Sequence, residues 1–144
     1  MNLNCPLCNS TAKLFCEKPK HLFYKCNNCE GIFRPKHTFL TAEAEKEHYE
    51  KHNNDVFDER YQAFVSPIVN AVLHDFSPEA KGLDFGSGTG PVIAKMLTDK
   101  GFQVQSYDLF FANDLALLNQ KYDYVSCCEV MEHFHQPYQE FELL

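Results

Sequence analysis

The sequence has no apolar run approaching the roughly 18 residues needed to span a bilayer, and Met1 to Cys5 begins nothing like a signal peptide. Together these absences predict a soluble, cytoplasmic protein. Positive charge is also scarce, with 13 Lys and Arg against 20 Asp and Glu and a formal net charge of −7. The scarcity is uneven. Residues 41–144 hold seven basic against eighteen acidic side chains, which argues against a broad nucleic-acid surface. The first 40 residues carry Lys13, Lys18, Lys20, Lys25, Arg34 and Lys36 against only Glu17 and Glu30, so a small basic contact there stays open. Apolar residues make up 44% and aromatics 14%, enough to bury a core and to exclude a disordered chain.

Seven cysteines in a chain without a secretion signal favour metal-held thiolates over disulfides. Cys5-Pro6-Leu7-Cys8 and Cys26-Asn27-Asn28-Cys29 lie seventeen residues apart, inside the window of a two-knuckle zinc site. Each C-x-x-C turns tightly enough to offer two sulfurs to one ion, and short strands around Lys13–Cys16 and Leu22–Lys25 would bring the two turns together. A 40-residue segment buries too little apolar surface to fold alone, so the metal would supply much of its folding energy. Four thiolates leave no open position, which makes the expected site structural. Cys16 lies outside the pattern and reads as a strand residue.

Thr41 can cap a helix with Glu43 and Glu45 in its first turn, running to about His52. His48 and His52 would share one face of it. Tyr49 follows His48, so the metalloprotease pattern H-E-x-x-H is absent, and a solvated or substrate-facing edge is the expected role. From Asp58 onward, Tyr61, Phe64, Val65, Ile68, Val69, Val72, Leu73 and Phe76 fall at helical intervals. Pro67 after Ser66 predicts a kink or a second helix capped by Ser66.

Lys81–Phe85 reads as a buried strand leading directly into Gly86-Ser87-Gly88-Thr89-Gly90. Pro91 would open a helix over 92–100 closed by Gly101, and Gln103–Tyr107 would be a second strand ending in Asp108, 22 positions after Gly86. Such a βαβ unit suits a nucleoside, because glycines let the backbone approach it and a carboxylate can accept from both ribose hydroxyls. A dinucleotide fingerprint would want glycine where Pro91 stands, and no phosphate loop of the G-x-x-x-x-G-K-[ST] kind is present. A third strand is expected over Tyr122–Cys128, followed by Glu129-Val130-Met131-Glu132-His133-Phe134.

The order Asp84-Phe85-Gly86-Ser87-Gly88-Thr89-Gly90 resembles the first motif of class I S-adenosylmethionine-dependent methyltransferases. The strand and "E-H" turn at 122–134 are similar to a later motif of that family, and the zinc-ribbon prefix is similar to that of bacterial methyltransferases with an N-terminal metal knuckle. The resemblance covers about residues 80 to 144. It implies an α/β fold: part of a Rossmann-like methyltransferase sheet at 80–144, preceded by a zinc ribbon at 1–40 and connecting helices at 41–79. It also implies that Gly86, Ser87, Gly88 and Gly90 approach the methionine moiety of S-adenosylmethionine. Asp84 would order the loop and its water, Asp108 would hold the ribose, and Glu129 would lie near the methionine end.

Phe110 and Phe111 would either wall the adenine or lie in the core. Methyl transfer is an in-line displacement for which the protein supplies mainly alignment, plus a base where the acceptor must lose a proton. Glu132 and His133 are the base candidates, following the end of a strand where open α/β sheets place their ligands. A structural role for His133 in the turn is the alternative. Cys127 and Cys128 read as core residues.

The family carries further strands after the "E-H" turn, so the sequence predicts a chain truncated at its C-terminus, with an uncovered sheet edge available for self-association. The leading expectation is a methyltransferase with a structural zinc ion and an unidentified acceptor, a small molecule or sugar being favoured over RNA or protein. The alternatives are a non-catalytic zinc-binding module or an inactive methyltransferase fragment. An NAD-linked oxidoreductase is disfavoured by Pro91.

Overall fold

The computed structural model describes residues 3–51 and 54–144. The chain divides into two compact units, one formed by the residues up to Ala42 together with His133–Leu144, the other by Glu43–Glu132.

The first unit is built on an antiparallel meander of β1 (Leu3–Asn4), β2 (Thr11–Lys18), β3 (His21–Cys26) and β4 (Ile32–Phe33), in that spatial order. Strands β2 and β3 are longer than the sequence suggests, because the β2–β3 pairing continues past a bulge at Leu14/Cys16 to Lys18 opposite His21. Lys20, in the connecting turn, takes a left-handed φ of 73°. Helix α4 (Pro137–Leu143) belongs to the same unit, where Phe134 and Phe141 meet edge to face at 5.3 Å.

The second unit opens with all but the first residue of α1 (Ala42–Glu50), whose acidic first turn suits the helix dipole. Helix α2 (Glu59–Asp75) starts where Asp58 accepts a hydrogen bond from the Arg60 amide. No second helix begins at Pro67: α2 is a single helix with Pro67 inside it. Proline removes the N–H that would bond the carbonyl of Ala63, and the Ser66 hydroxyl donates to that carbonyl instead at 2.7 Å. Ser66 therefore mends one helix rather than starting another.

Strand β5 (Lys81–Phe85), helix α3 (Val92–Thr98) and strand β6 (Gln103–Tyr107) form a parallel β-α-β crossover. Strand β7 is confined to Tyr124–Ser126 and pairs in parallel with the other side of β5, giving the order β6-β5-β7. Strand β5 is buried from Gly82 through Phe85, as the centre of a sheet covered on both faces requires. The α2 face Val65, Val69 and Val72 packs with Val92, Ile93 and Leu97 of α3, and with Phe102 and Tyr124, in one apolar cluster. Burial of this stripe holds the C-terminal ends of β5 and β6 in place, and the polar loops rise from those ends.

Candidate functional sites

In the first unit the two knuckles are one local solution used twice. The Cys5 amide donates to Ser10 O at 2.8 Å and the Cys26 amide to Gly31 O at 2.9 Å. The residue after each second cysteine is left-handed, Asn9 at φ 57° and Glu30 at φ 61°. These turns bring the sulfurs of Cys5, Cys8, Cys26 and Cys29 within 4.8 Å of one another. Cys5 and Cys29 approach at 3.6 Å, and Cys8 and Cys26 at 3.4 Å. A tetrahedral zinc with bonds of about 2.3 Å has sulfur edges of about 3.8 Å, so the donor set and its spacing are compatible with a zinc ribbon.

The sulfurs are electrostatically unequal. The Ser10 amide and hydroxyl draw Cys8 down to about 5. At Cys29 the Gly31 amide acts in the lowering direction, yet the neighbouring sulfurs and burial push that thiol up to about 12. Crowded sulfurs do not ionise together without a cation among them, and a divalent metal supplies that charge. Cys16 lies half-buried in β2, outside the cluster.

In the second unit the glycine loop follows β5, and Asp108 follows β6. Gly86 has φ 76°, and a β-carbon there would collide with the Val130 side chain, so both conformation and space demand glycine. At Gly90 the demand is spatial alone. An added β-carbon would overlap the Asn54 carbonyl, because Asn54 lies directly against the loop. Gly88 is approached by the Asn54 side chain, whose Nδ2 would lie 3.6 Å from an added β-carbon. Ser87, half-buried in the loop, donates its amide to Tyr107 O at 3.1 Å, and Gly86 does the same at 2.8 Å.

The Asp108 carboxylate ties the loop to the second strand. Its Oδ2 accepts from the Gly88 amide at 2.8 Å, and its Oδ1 from the amides of Phe110 and Phe111 at 2.8 and 3.1 Å. A carboxylate offers about four acceptor positions, so Oδ2 keeps one for a further donor. Asp84, 3% exposed, accepts from the Ser126 hydroxyl at 3.0 Å and from the Ala94 amide at the start of α3. Burial pushes it up to about 6 against those two bonds. It thus links β5, β7 and α3 beneath the loop.

Glu129 is exposed, with a left-handed φ of 55° that is unusual outside glycine and asparagine. This turn, just past β7, is what drives Val130 onto Gly86. Met131–His133 is a short 3-10 turn: Glu132 ends the second unit, while His133 belongs to the first, and both are exposed. Asp84, the loop, Asp108 and Glu129 therefore lie at the same ends of neighbouring strands in one unit.

Phe110 and Phe111 are half-buried, and Phe110 meets Tyr49 of α1 at 6.2 Å. Cys127 and Cys128 are half-buried, and burial raises both thiols, Cys127 to about 11, which speaks against a nucleophilic role. The predicted His48 and His52 pair lies partly outside the described residues, since His52 is not described. Tyr49, Asn54, Ser126 and Val130 escaped the sequence reading. Only Ser126, inside a predicted strand beside a loop-bearing one, left a signal that sequence could have used.

The family model described as a methyltransferase domain matches residues 57–144. The chain belongs to this family of class I S-adenosylmethionine-dependent methyltransferases. No curated protein gives a significant match to it. Among the described residues, no helix is long and apolar enough to cross a membrane.

Proposed function

We propose that residues 80–144 form a Rossmann-like unit that binds S-adenosylmethionine and directs its methyl group to an acceptor, with a structural zinc ion in the ribbon at 1–40 and connecting helices at 41–79. The observation that carries this reading is the Asp108 carboxylate bonded to the Gly88 amide. It fixes an acid against a glycine loop at the C-terminal ends of adjacent parallel strands, where such sheets take nucleosides.

The residues fit the cofactor. Gly86 and Gly88 keep the loop free of side chains, Asp108 Oδ2 has an acceptor position left for a ribose hydroxyl, and the carboxylates of Asp84, Asp108 and Glu129 give the site the sign that suits a sulfonium and an ammonium. A dinucleotide pyrophosphate would be repelled by the same charges. When bound, the cofactor supplies an activated methyl group, so the chain's own work is alignment. Gly86, Ser87, Gly88 and Gly90 shape the loop, Asp84 braces it from below, Glu129 stands at the methionine end, and Glu132 or His133 takes a proton where the acceptor must lose one.

Cys5, Cys8, Cys26 and Cys29 hold the zinc. A small-molecule or sugar acceptor suits the acidic second unit better than nucleic acid does. Strand β7 lies at a sheet edge with Val125 36% exposed, which supports self-association there. The protein is assigned to the cytoplasm.

Calorimetric titration of the zinc-loaded chain with S-adenosylmethionine and S-adenosylhomocysteine tests the reading. Binding of both is expected, weakened about tenfold or more in Asp108→Ala, the usual scale for losing a charge-assisted hydrogen bond. A folded chain that binds neither would sink it.

A further inference from the structure

The strap of residues 54–58 ahead of α2 carries a feature that neither the family motif nor the periodicity of the helices requires. Asn54 lays its backbone carbonyl against the α-carbon of Gly90 and brings its side-chain amide over Gly88, the residue whose own amide is bonded to Asp108. Close approach of two backbones is costly to arrange, and only glycine at 90 permits it.

The segment is also held firmly from its far side. The Phe57 amide donates to Asp55 Oδ1 at 2.9 Å, the Asp58 amide to Asp55 O at 3.0 Å, and Gln62 Nε2 to Val56 O at 2.7 Å. Lys95 of α3 sits over the Phe57 ring at 5.4 Å. Asn54 is thus presented to the loop by a pinned strap.

Charge decides what Asn54 can recognise there. The strand ends offer the carboxylates of Asp108 and Glu129 to the ribose and the positive groups of the cofactor, with Asp84 buried beneath the loop. The cofactor's α-carboxylate needs donors of a different kind. Among the described residues, Lys95 beside the loop is paired with Asp99 at 2.5 Å and Arg60 at the start of α2 with Asp58 at 3.1 Å. Asn54 is the polar side chain that reaches Gly88, and its amide brings two N–H donors without adding charge.

We propose that Asn54 is a positioning residue for the amino-acid end of the cofactor, its Nδ2 donating to the α-carboxylate beside Gly88; this rests on the S-adenosylmethionine reading above. The strap then forms part of the cofactor site, and Gly90 is glycine to admit the strap rather than the ligand.

The test compares two ligands on the intact zinc-loaded chain: S-adenosylhomocysteine, which has the amino-acid end, and methylthioadenosine, which lacks it. Asn54→Ala is expected to weaken S-adenosylhomocysteine about tenfold while leaving methylthioadenosine within about twofold. Asn54→Asp, nearly the same size but charged, is expected to weaken S-adenosylhomocysteine further, again selectively. A melting temperature measured on each variant confirms that the fold is kept. Equal losses for both ligands would show a merely structural strap and overturn the proposal, as would no loss in Asn54→Ala. Wild-type chain that binds neither ligand would overturn the cofactor reading and this proposal with it. Wild-type chain that binds both equally would overturn the proposal alone.

Discussion

The two compact units solve the same problem of staying folded with opposite means. In the Glu43–Glu132 unit, eight buried side chains from α2, α3 and the neighbouring strands make one apolar cluster, with Leu97 at 0% exposure in its middle. In the ribbon the pattern reverses. Its most buried apolar residues include two of the four clustered cysteines, while Leu14, Phe15 and Ile32 stand more than half exposed. An apolar face can be buried only against a second layer, and a short antiparallel meander has too little of one. The difference teaches where the free energy of each unit comes from: area removed from water in the second, and too little of it in the first, which the proposed metal ligation would make up.

The sharpest way to break the comparison is to disable the proposed metal site. Structural zinc sites contribute on the order of 10 kcal/mol to folding. Chelation, or Cys26→Ser, is expected to abolish amide exchange protection along β2 and β3 and leave the protection of β5 and β6 in place. Protected β2 and β3 amides in a metal-free sample would show that the ribbon holds itself together.

A substitution in the other unit supplies the converse. Leu97→Ala is expected to cost roughly 3–5 kcal/mol of denaturant-measured stability, because a fully packed leucine leaves a cavity as well as losing burial. Zinc stoichiometry should not change. If Leu97→Ala released the metal, the units would not be separately stabilised.

The smallest expected effect concerns Asp84, a charge buried inside the apolar unit. The folded chain, with Asp84 at about 6, holds a proton that the unfolded chain, near 3.8, has already lost. Stability therefore falls as pH rises between those values, and the full penalty, on the order of 3 kcal/mol, applies above pH 6. Asp84→Asn keeps an oxygen for Ser126 and Ala94 and is expected to flatten that decline in melting experiments from pH 4 to 6.5. A variant that retained the wild-type slope would place the titrating group elsewhere.

How much of this was legible in sequence follows the range of each interaction. The knuckle spacing and the run from Lys81 to Tyr107 are local signals: tight turns, a glycine loop, alternating or continuous apolar stretches. Strands β5 and β6 fall where those signals put them. The third strand is four residues shorter than its composition suggests: Tyr122, Asp123, Cys127 and Cys128 suit a strand, but only Tyr124–Ser126 pair in register with β5, and Asp123 meets Lys81 of β5 just ahead of that ladder. Of the two outcomes Pro67 suggests, the second helix is absent: a proline announces the loss of a donor, while its replacement by the Ser66 hydroxyl is visible only in three dimensions.

The site itself divides in the same way. Asp84, the loop and Asp108 announce themselves by residue type and spacing. Asn54 does not, since within Asn53-Asn54-Asp55 it looks like any helix breaker, and its contact with a glycine 36 residues later has no periodicity to betray it. Ordinary-looking connecting residues become part of a site when the chain folds back over them.

The hydroxyl of Ser66 has an evolutionary consequence. Its value depends wholly on its neighbour: with Pro67 present it occupies a carbonyl that would otherwise go unbonded, and with an ordinary residue at 67 the backbone amide would fill that place and the serine would be dispensable. The two positions are therefore epistatic. A lineage could acquire the serine first at little cost and the proline afterwards, but the reverse order passes through a helix with an exposed gap in its ladder. The pair constrains the order of its own history while α2 runs on unbroken from Glu59 to Asp75.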